Sequence, residues 1–430
     1  MTSLLSLGVA LIAGLIMTRF TKKLKLPAVT AYLITGILIG PYCLGALGVE
    51  GLGFTSMEAV ERLDVISDVA LGFIAFAIGN EFRLSQLKET GRQATVVGIV
   101  QGLLAALLVD AALLGLHCAM PDKLPVPAAI TLGAIATATA PAATLMVIRQ
   151  YKAKGKVTDI LLPVVALDDA VGLVVFAISF GVAKAMLSGA FNAISIVLEP
   201  ILEIVLSLGL GALMGVLLTQ MERFFNSNSN RLSLTIGFVI LTVALSMLNF
   251  RVGQVHVGFS SLLVCMMLGT VFCNLCPLSA DLMEKSDRWT APLFTLFFVI
   301  SGAELELGVF GDMLVVLIGV VYILTRSVGK YVGAYISAKA THCDPNVVKY
   351  LGITLLPQAG VALGMCITAM ELGGAEGSLI RNITLFAVLI YEILGPMFTK
   401  IALTAAGDIQ PMDEEVRNRR AIKLQSAGRE

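Results

Sequence analysis

The chain has 430 residues, with 30 Lys and Arg against 30 Asp and Glu, so no basic field argues for a nucleic-acid partner. Hydrophobic residues make up 57% and charged residues only 14%, with a mean hydropathy of +0.89. A soluble domain carries roughly one quarter charged residues, so this balance excludes one and points to an integral membrane protein in contact with a lipid bilayer.

A helix needs about 20 apolar residues to cross the hydrocarbon core. Runs of that kind fall in chain order at about 3–18, 28–46, 64–80, 94–116, 125–148, 157–183, 193–219, 232–249, 257–274, 290–307, 313–337, 347–369 and 380–404. The expected fold class is therefore an all-α polytopic membrane protein with about thirteen transmembrane helices. No segment alternates like a barrel strand. The first run lacks the basic start and small-residue cleavage site of a secretory signal, and reads as a span that is retained. Alternate connecting loops hold 17 Lys or Arg, and the opposite set holds five. Positive residues stay on the cytoplasmic side, which predicts an N-terminus outside and a polar cytoplasmic tail over 406–430. The seven cysteines are irregularly spaced, and Cys273 and Cys276 of CNLC have no second pair beside them. His117, His256 and His342 fall near helix ends, so neither a disulfide framework nor a histidine metal centre is expected.

Three pairs of segments echo one another at a near-constant separation. FAIGNEFRL near Gly79 and VISGAELEL near Gly302 share G-x-E-x-x-L. Pro141 and Ala143 match Pro357 and Ala359 as P-x-A, and Asp169 with Gly172 matches Glu392 with Gly395 as acid-x-x-Gly. The matched spans are third with tenth, fifth with twelfth and sixth with thirteenth. An odd separation forces the copies to enter the membrane from opposite sides, which is the inverted-topology repeat of many secondary transporters. The seventh span is then the linker.

The fifth and twelfth spans are both interrupted. GAIATATAPAATLMVI carries Pro141, with Thr137, Thr139 and Thr144 around it. GITLLPQAGVALGM carries Pro357, Gln358, Gly360 and Gly364. Proline removes a backbone donor and disrupts the preceding turn. Broken backbone at membrane depth survives only where protein or a cavity satisfies it, so paired breaks in two repeats point to a binding site.

VALDDAVGLVVF places Asp168 and Asp169 inside the sixth span. An acid at a helix centre costs about 2.5–3.5 kcal/mol on the insertion scale. Neighbours on a helix point about 100° apart, so the two cannot readily share one partner and are expected to divide labour. The eleventh span supplies Arg326 and Lys330, four residues apart on one face. Glu392, in the thirteenth span, is a supporting acid that could pair with a cation or stabilise the opposite break. Hard cations such as Na⁺ prefer oxygen ligands. If a buried carboxylate takes either a proton or a cation, competition between them gives exchange without a nucleotide, and no P-loop sequence is present.

KLKLPAVTAYLITGILIGP, TATAPAAT, LDDAVGL, RSVGKYVGAY and LPQAGVALG together resemble the monovalent cation:proton antiporter superfamily over about residues 15–404. The adjacent aspartates make the chain most similar to its bacterial electrogenic Na⁺/H⁺ antiporters with thirteen helices. The resemblance implies that Asp169 is the ion-binding group, carrying Na⁺ or protons, and that Asp168 pairs with a basic residue of the eleventh span. Lys330 best matches that residue, with Arg326 as the alternative. Thr139 matches the threonine of the crossing. It also implies a homodimer in which a core domain moves like an elevator against a dimerisation domain. Residues 1–93 (helices 1–3) and 231–308 (helices 8–10) would form the dimerisation domain. Residues 94–185 (helices 4–6) and 309–405 (helices 11–13) would form the core, with 186–230 as the linker helix. The electroneutral branch usually has Asn before its ion-binding Asp and T-D-P in the crossing, where this chain has Asp168 and Thr139-Ala140-Pro141. The glutathione-gated potassium branch has Gln there and a large nucleotide-binding domain.

The expected function is therefore electrogenic Na⁺(Li⁺)/H⁺ antiport in a bacterial inner membrane, serving pH homeostasis. Monovalent cation and protons would be its only small partners, with no cofactor and no enzymatic activity. The alternatives are K⁺/H⁺ antiport on the same scaffold and Na⁺-coupled uptake of an organic solute. An intramembrane aspartyl protease needs two acids facing each other, normally from separate helices, and adjacent acids on one helix do not meet that requirement.

Overall fold

Sixteen α-helices run through the described residues: α1 (Thr2–Lys23), α2 (Ala28–Ile39), α3 (Met57–Glu61), α4 (Asp64–Asn80), α5 (Leu84–Ala119), α6 (Val126–Ile135), α7 (Pro141–Tyr151), α8 (Lys156–Ser188), α9 (Ala193–Glu222), α10 (Asn228–Ser246), α11 (Ser261–Leu275), α12 (Ser279–Glu304), α13 (Met313–Ala340), α14 (Pro345–Thr354), α15 (Gly360–Ala369) and α16 (Gly374–Ala405). This computed structural model describes all residues except 1, 25, 50–52, 81–83, 189–192, 249, 253–254, 306–307, 309–310 and 410–430. Most of the polar tail lies outside the described residues, as do Glu81 and Leu307 of the G-x-E-x-x-L pair.

The helices account for all thirteen expected spans. Eight are long and apolar enough to cross a membrane by themselves. The others are α4, α11, the apolar half of α12 and two spans broken in the middle, α6–α7 and α14–α15.

Boundaries differ from expectation in three places. The second span stops being α-helical at Ile39, because Gly40 is extended and Pro41 follows, and a 3-10 turn covers Leu44–Leu47. The ninth begins only at Ser261. Upstream of it lies a two-stranded antiparallel ribbon, β1 (Phe250–Val252) with β2 (Val255–Val257), in which Arg251 pairs with His256. The tenth begins early, at Ser279, so EKSDR is helix rather than loop. Lys285 pairs with Asp281 at 2.5 Å and Arg288 with Glu284 at 2.6 Å, both four residues apart. Such pairs carry a helix beyond its apolar stretch.

Two groups of helices emerge from the packing. In one, α5 lies against α13, α8 and α6, while α16 packs on α13, α14 and α15. In the other, α11 packs on α4 and α9, and α12 on α2, α4 and α1. The groups meet where α16 and α7 approach α2, and where α8 approaches α9. The first group holds both broken spans and the paired aspartates, and is called here the site bundle; the second is the flanking bundle.

Small residues set the closest approach inside the site bundle. A Cβ at Gly329 of α13 would lie 2.6 Å from the Ala105 Cα, and one at Gly333 would lie 2.6 Å from the Gln101 Cα. With lipid outside and no water to exclude, helices associate through such backbone contact. Replacing Gly333 by Ala is expected to destabilise the protein by about 1–3 kcal/mol through overpacking. A lower melting temperature of the purified protein would report it. Gly8→Ala, where nothing lies within 4 Å, is the neutral control.

Candidate ion-binding site

The two broken spans meet back to front. α6 ends at Ile135 and α7 restarts at Pro141, whose missing N–H costs nothing at the first turn of a helix. α14 ends at Thr354 and α15 restarts at Gly360. The backbone N–H of Ala140 donates to Pro357 O at 2.8 Å, joining the repeats directly. Two helix C-termini, each carrying unsatisfied carbonyls and partial negative charge, therefore end inside the protein.

Arg326 answers that charge. It is fully buried, and it donates to Ala136 O at 3.0 Å, Ala138 O at 2.6 Å and Leu356 O at 2.8 Å. These carbonyls belong to both interruptions. Its guanidinium also lies 4.5 Å from the centre of the Tyr391 ring. Arg326 was the alternative to Lys330 as the partner of Asp168, and it is Lys330 that lies beside that carboxylate. Among the described residues Arg326 forms no ion pair, and all three of its nitrogens donate to carbonyls. Gln358 extends the same repair, donating to Ile135 O at 3.0 Å and to the Tyr322 hydroxyl at 2.9 Å. Gly360 is exposed and contributes only its backbone at the start of α15.

Lys330, one turn further along α13, makes the ion pair. Its Nζ lies 2.7 Å from Asp168 Oδ2 and 2.9 Å from Thr139 Oγ1, and it also donates to Thr137 O. Thr139 donates its hydroxyl to Asp168 Oδ2. The Thr137 hydroxyl turns back onto Ala134 O at 2.7 Å. On the other side of the carboxylate, Gln101 Nε2 donates to Asp168 Oδ1 at 2.5 Å. Asp168 and Lys330 are both 0% exposed. Gln101 and Tyr322 were not singled out in the sequence. The signal for Gln101 was available, as the only side-chain amide within an apolar stretch of α5, where buried polar residues are costly.

Asp169 has a different environment. It is buried, at 2% exposure, and neither carboxylate oxygen receives a hydrogen bond from a described protein group. A full negative charge so placed costs several kcal/mol unless something compensates it. The adjacent aspartates differ in environment: Asp168 is held by three side chains and Asp169 by no described protein group.

The repeat is visible in the packing. A Cβ at Gly172, one turn after Asp169, would lie 3.0 Å from Thr137 Oγ1 in the first interruption. A Cβ at Gly395, one turn after Glu392, would lie 2.9 Å from the Pro357 Cα in the second. Glu392 pairs with no described cation, and its Oε2 is buried without a hydrogen-bond partner.

A cavity of about 1340 Å³ opens between the bundles, on the side of the Lys- and Arg-rich loops. Leu162 and Pro163 of α8 line it, together with Arg149 and Asp287, which form an ion pair at 2.8 Å across the two bundles. Burial raises Asp287 above the usual carboxylate range, and the neighbouring Arg149 acts in the opposite direction. Asp169 lies on the Leu162 face of α8, about 10 Å further along at 1.5 Å per residue.

Crossed broken helices, buried cations on their carbonyl ends and a buried carboxylate with neither oxygen partnered by a described group define a membrane transporter built on an inverted repeat. The chain belongs to the sodium/hydrogen exchanger family, whose transmembrane profile matches residues 7–405. It is similar to the Na⁺/H⁺ antiporter NhaS4 of a Synechocystis strain, at 24% identity over 92% of this chain and 95% of that protein. The K⁺/H⁺ antiporter subunit KhtU of Bacillus subtilis is 18% identical, over 91% of this chain and 92% of that one. In fold it is similar to the sodium proton antiporter MjNhaP1 of Methanocaldococcus jannaschii, with a TM-score of 0.67, 18% identity, and 94% and 98% of the two chains covered.

Removing one partner of a buried ion pair costs about 3–5 kcal/mol because the other charge is left uncompensated. Lys330→Met is expected to lower thermal stability by that amount, and Asp168→Asn in the same chain to recover most of it. A double variant no more stable than Lys330→Met would show that the pair is not what holds α13 to α8.

Proposed function

We propose that the protein is an electrogenic Na⁺(Li⁺)/H⁺ antiporter in which cation and protons compete for Asp169. The observation that carries this reading is the absence of any described protein donor on either oxygen of a carboxylate buried beside a fully satisfied one. A proton removes the charge, and a monovalent cation balances it. If only a compensated site crosses the membrane, the two are exchanged. A tenfold proton gradient then supplies about 1.4 kcal/mol per proton to move the cation.

In this reading Asp168, Lys330, Thr139 and Gln101 hold the site in shape, and Arg326 with Gln358 keeps the crossing intact. The site bundle is the moving core and the flanking bundle the dimerisation domain of a homodimer. The cavity above Leu162 is the cytoplasmic vestibule, in a bacterial inner membrane with the N-terminus outside. The motion is elevator-like alternating access, in which one rigid unit carries the site from face to face. The similarity to KhtU, a K⁺/H⁺ antiporter subunit by name, favours K⁺/H⁺ exchange as the second reading on the same site. Sodium-coupled uptake of an organic solute would require a substrate-dependent current without proton movement.

In inside-out vesicles Na⁺ is expected to dissipate a preformed proton gradient, and Asp169→Ala to abolish the response. An intact response in that variant refutes the role of Asp169. Half-saturating concentrations of Na⁺, Li⁺ and K⁺ on the wild-type protein separate the first two readings. Proton flux measured with membrane potential clamped and then free tests electrogenicity; equal rates would make the exchange electroneutral.

A further inference from the structure

The cavity between the bundles has a lining that an ion path alone does not require. Leu11 and Leu15 of α1, Leu145 and Ile148 of α7 and Phe294 of α12 all border it. Leu15 is 56% exposed, and Ile12 and Ile16 beside it are exposed as well. This border is therefore continuous with the apolar surface of α1, a helix long enough to span a membrane by itself. At about 1340 Å³ the space exceeds the roughly 300–1,000 Å³ of a typical small-molecule site.

Towards the Lys- and Arg-rich loops the lining changes to charge. Four cations border the cavity, Arg149, Lys152, Lys154 and Arg288, against two acids, Asp159 and Asp287. Arg149 pairs with Asp287 at 2.8 Å, and Arg288 with Glu284 at 2.6 Å. Lys152 and Lys154 are exposed and form no ion pair among the described residues, which leaves Asp159 as the lining acid to offset both. Lys152 holds a left-handed backbone, with φ 51°, and its N–H closes α7 on Ile148 O and Arg149 O. Closure of this kind favours glycine or asparagine, so it does not account for a lysine. Positive charge in excess at the mouth of a cation path lowers the local cation concentration, so the path does not account for it either.

A cleft that is apolar beside α1 and bears unpaired lysines at its mouth matches a molecule with an apolar body and an anionic head. Basic pockets between helices on the cytoplasmic side take anionic lipid headgroups. We infer that the cavity binds one anionic phospholipid of the cytoplasmic leaflet, with an acyl chain along Leu11, Leu15, Leu145 and Ile148 and its phosphate at Lys152 and Lys154. The choice of leaflet and the ion path beside the lipid rest on the antiport reading above; the binding itself does not. The α8 side of the cavity, at Asp159 and Leu162, stays open to the ion. Helices of both bundles border the acyl chain, so the lipid is part of the seam, and its phosphate cancels the positive excess at the mouth.

Lipid binding by the purified full chain tests this without transport. The melting temperature of delipidated protein is followed against dioleoylphosphatidylglycerol, dioleoylphosphatidylcholine and glycerol phosphate. The anionic lipid is expected to half-saturate at a concentration about tenfold below the zwitterionic one, as two lysines beside a phosphate imply, and glycerol phosphate to give no shift. Lys152→Gln with Lys154→Gln is expected to bring the two lipids together. Lys22→Gln with Lys23→Gln, at exposed lysines outside the lining, keeps the preference. Leu11→Ala with Leu15→Ala weakens both lipids alike. The site is overturned by equal binding of the two lipids to wild type, by a preference that survives loss of Lys152 and Lys154, or by one lost equally with Lys22 and Lys23. Unchanged binding in the leucine variant, or glycerol phosphate binding as tightly as the anionic lipid, overturns it too. If the paired lysine variant does not fold, Lys152→Gln and Lys154→Gln singly decide, each expected to close part of the gap. Exchange surviving in Asp169→Ala defeats the antiport reading and leaves the lipid preference standing, whereas a missing preference with exchange intact defeats only the lipid site.

Discussion

The structure depends on neutralising helix ends inside the membrane. Breaking two helices at mid-depth exposes carbonyls that water would otherwise solvate, and no hydrocarbon can replace that water. Arg326 and Gln358 return hydrogen bonds to those carbonyls, and Lys330 does so for Thr137. Each of these groups is itself costly in a low-dielectric interior. Broken backbone and buried cation are stable only together, which is why both appear in one bundle. Once that exchange is made, Lys330 can hold Asp168 without extra rigidity from elsewhere, and Asp169 can be left uncommitted.

Division of labour between neighbouring carboxylates follows from helix geometry. Side chains 100° apart on α8 face different elements. Asp168 faces α5, α13 and the first interruption, where Gln101, Lys330 and Thr139 converge. Asp169 turns away from those donors. On the proposed reading, a single acid could not be both anchored and free to exchange, and the doublet would separate the structural requirement from the chemical one.

Much of this was legible in the sequence, for particular reasons. Hydropathy gave the spans, because about 20 apolar residues have few other uses. Pro141 and Pro357 marked the breaks because proline cannot continue the ladder. The acid-x-x-Gly pattern recurs with each glycine packed closely against an interruption, Gly172 against the Thr137 side chain and Gly395 against the Pro357 backbone. What stayed hidden was partner choice. Arg326 and Lys330 share a face of α13 at one-turn spacing, and only the positions of carbonyls on other helices distinguish them. Gln101 was visible as a polar residue in an apolar stretch, but its partner was hidden for the same reason, since that depends on where α5 crosses α8. The helical start of α12 was missed because its polar residues stabilise one another along the helix rather than by burial.

The seam between the bundles carries few polar links on its vestibule side. Gln150 accepts the Ala28 N–H at 2.8 Å, and Arg149 meets Asp287 across a partly open interface. Solvent-accessible ion pairs are individually worth about 0–1 kcal/mol. If the site bundle slides as proposed above, it meets little polar friction at that edge, and the apolar contacts of α2 with α7 and α16 and of α8 with α9 supply most of the resistance. On that reading the rate of travel follows the fluidity and thickness of the surrounding lipid more closely than the ionic strength of the medium.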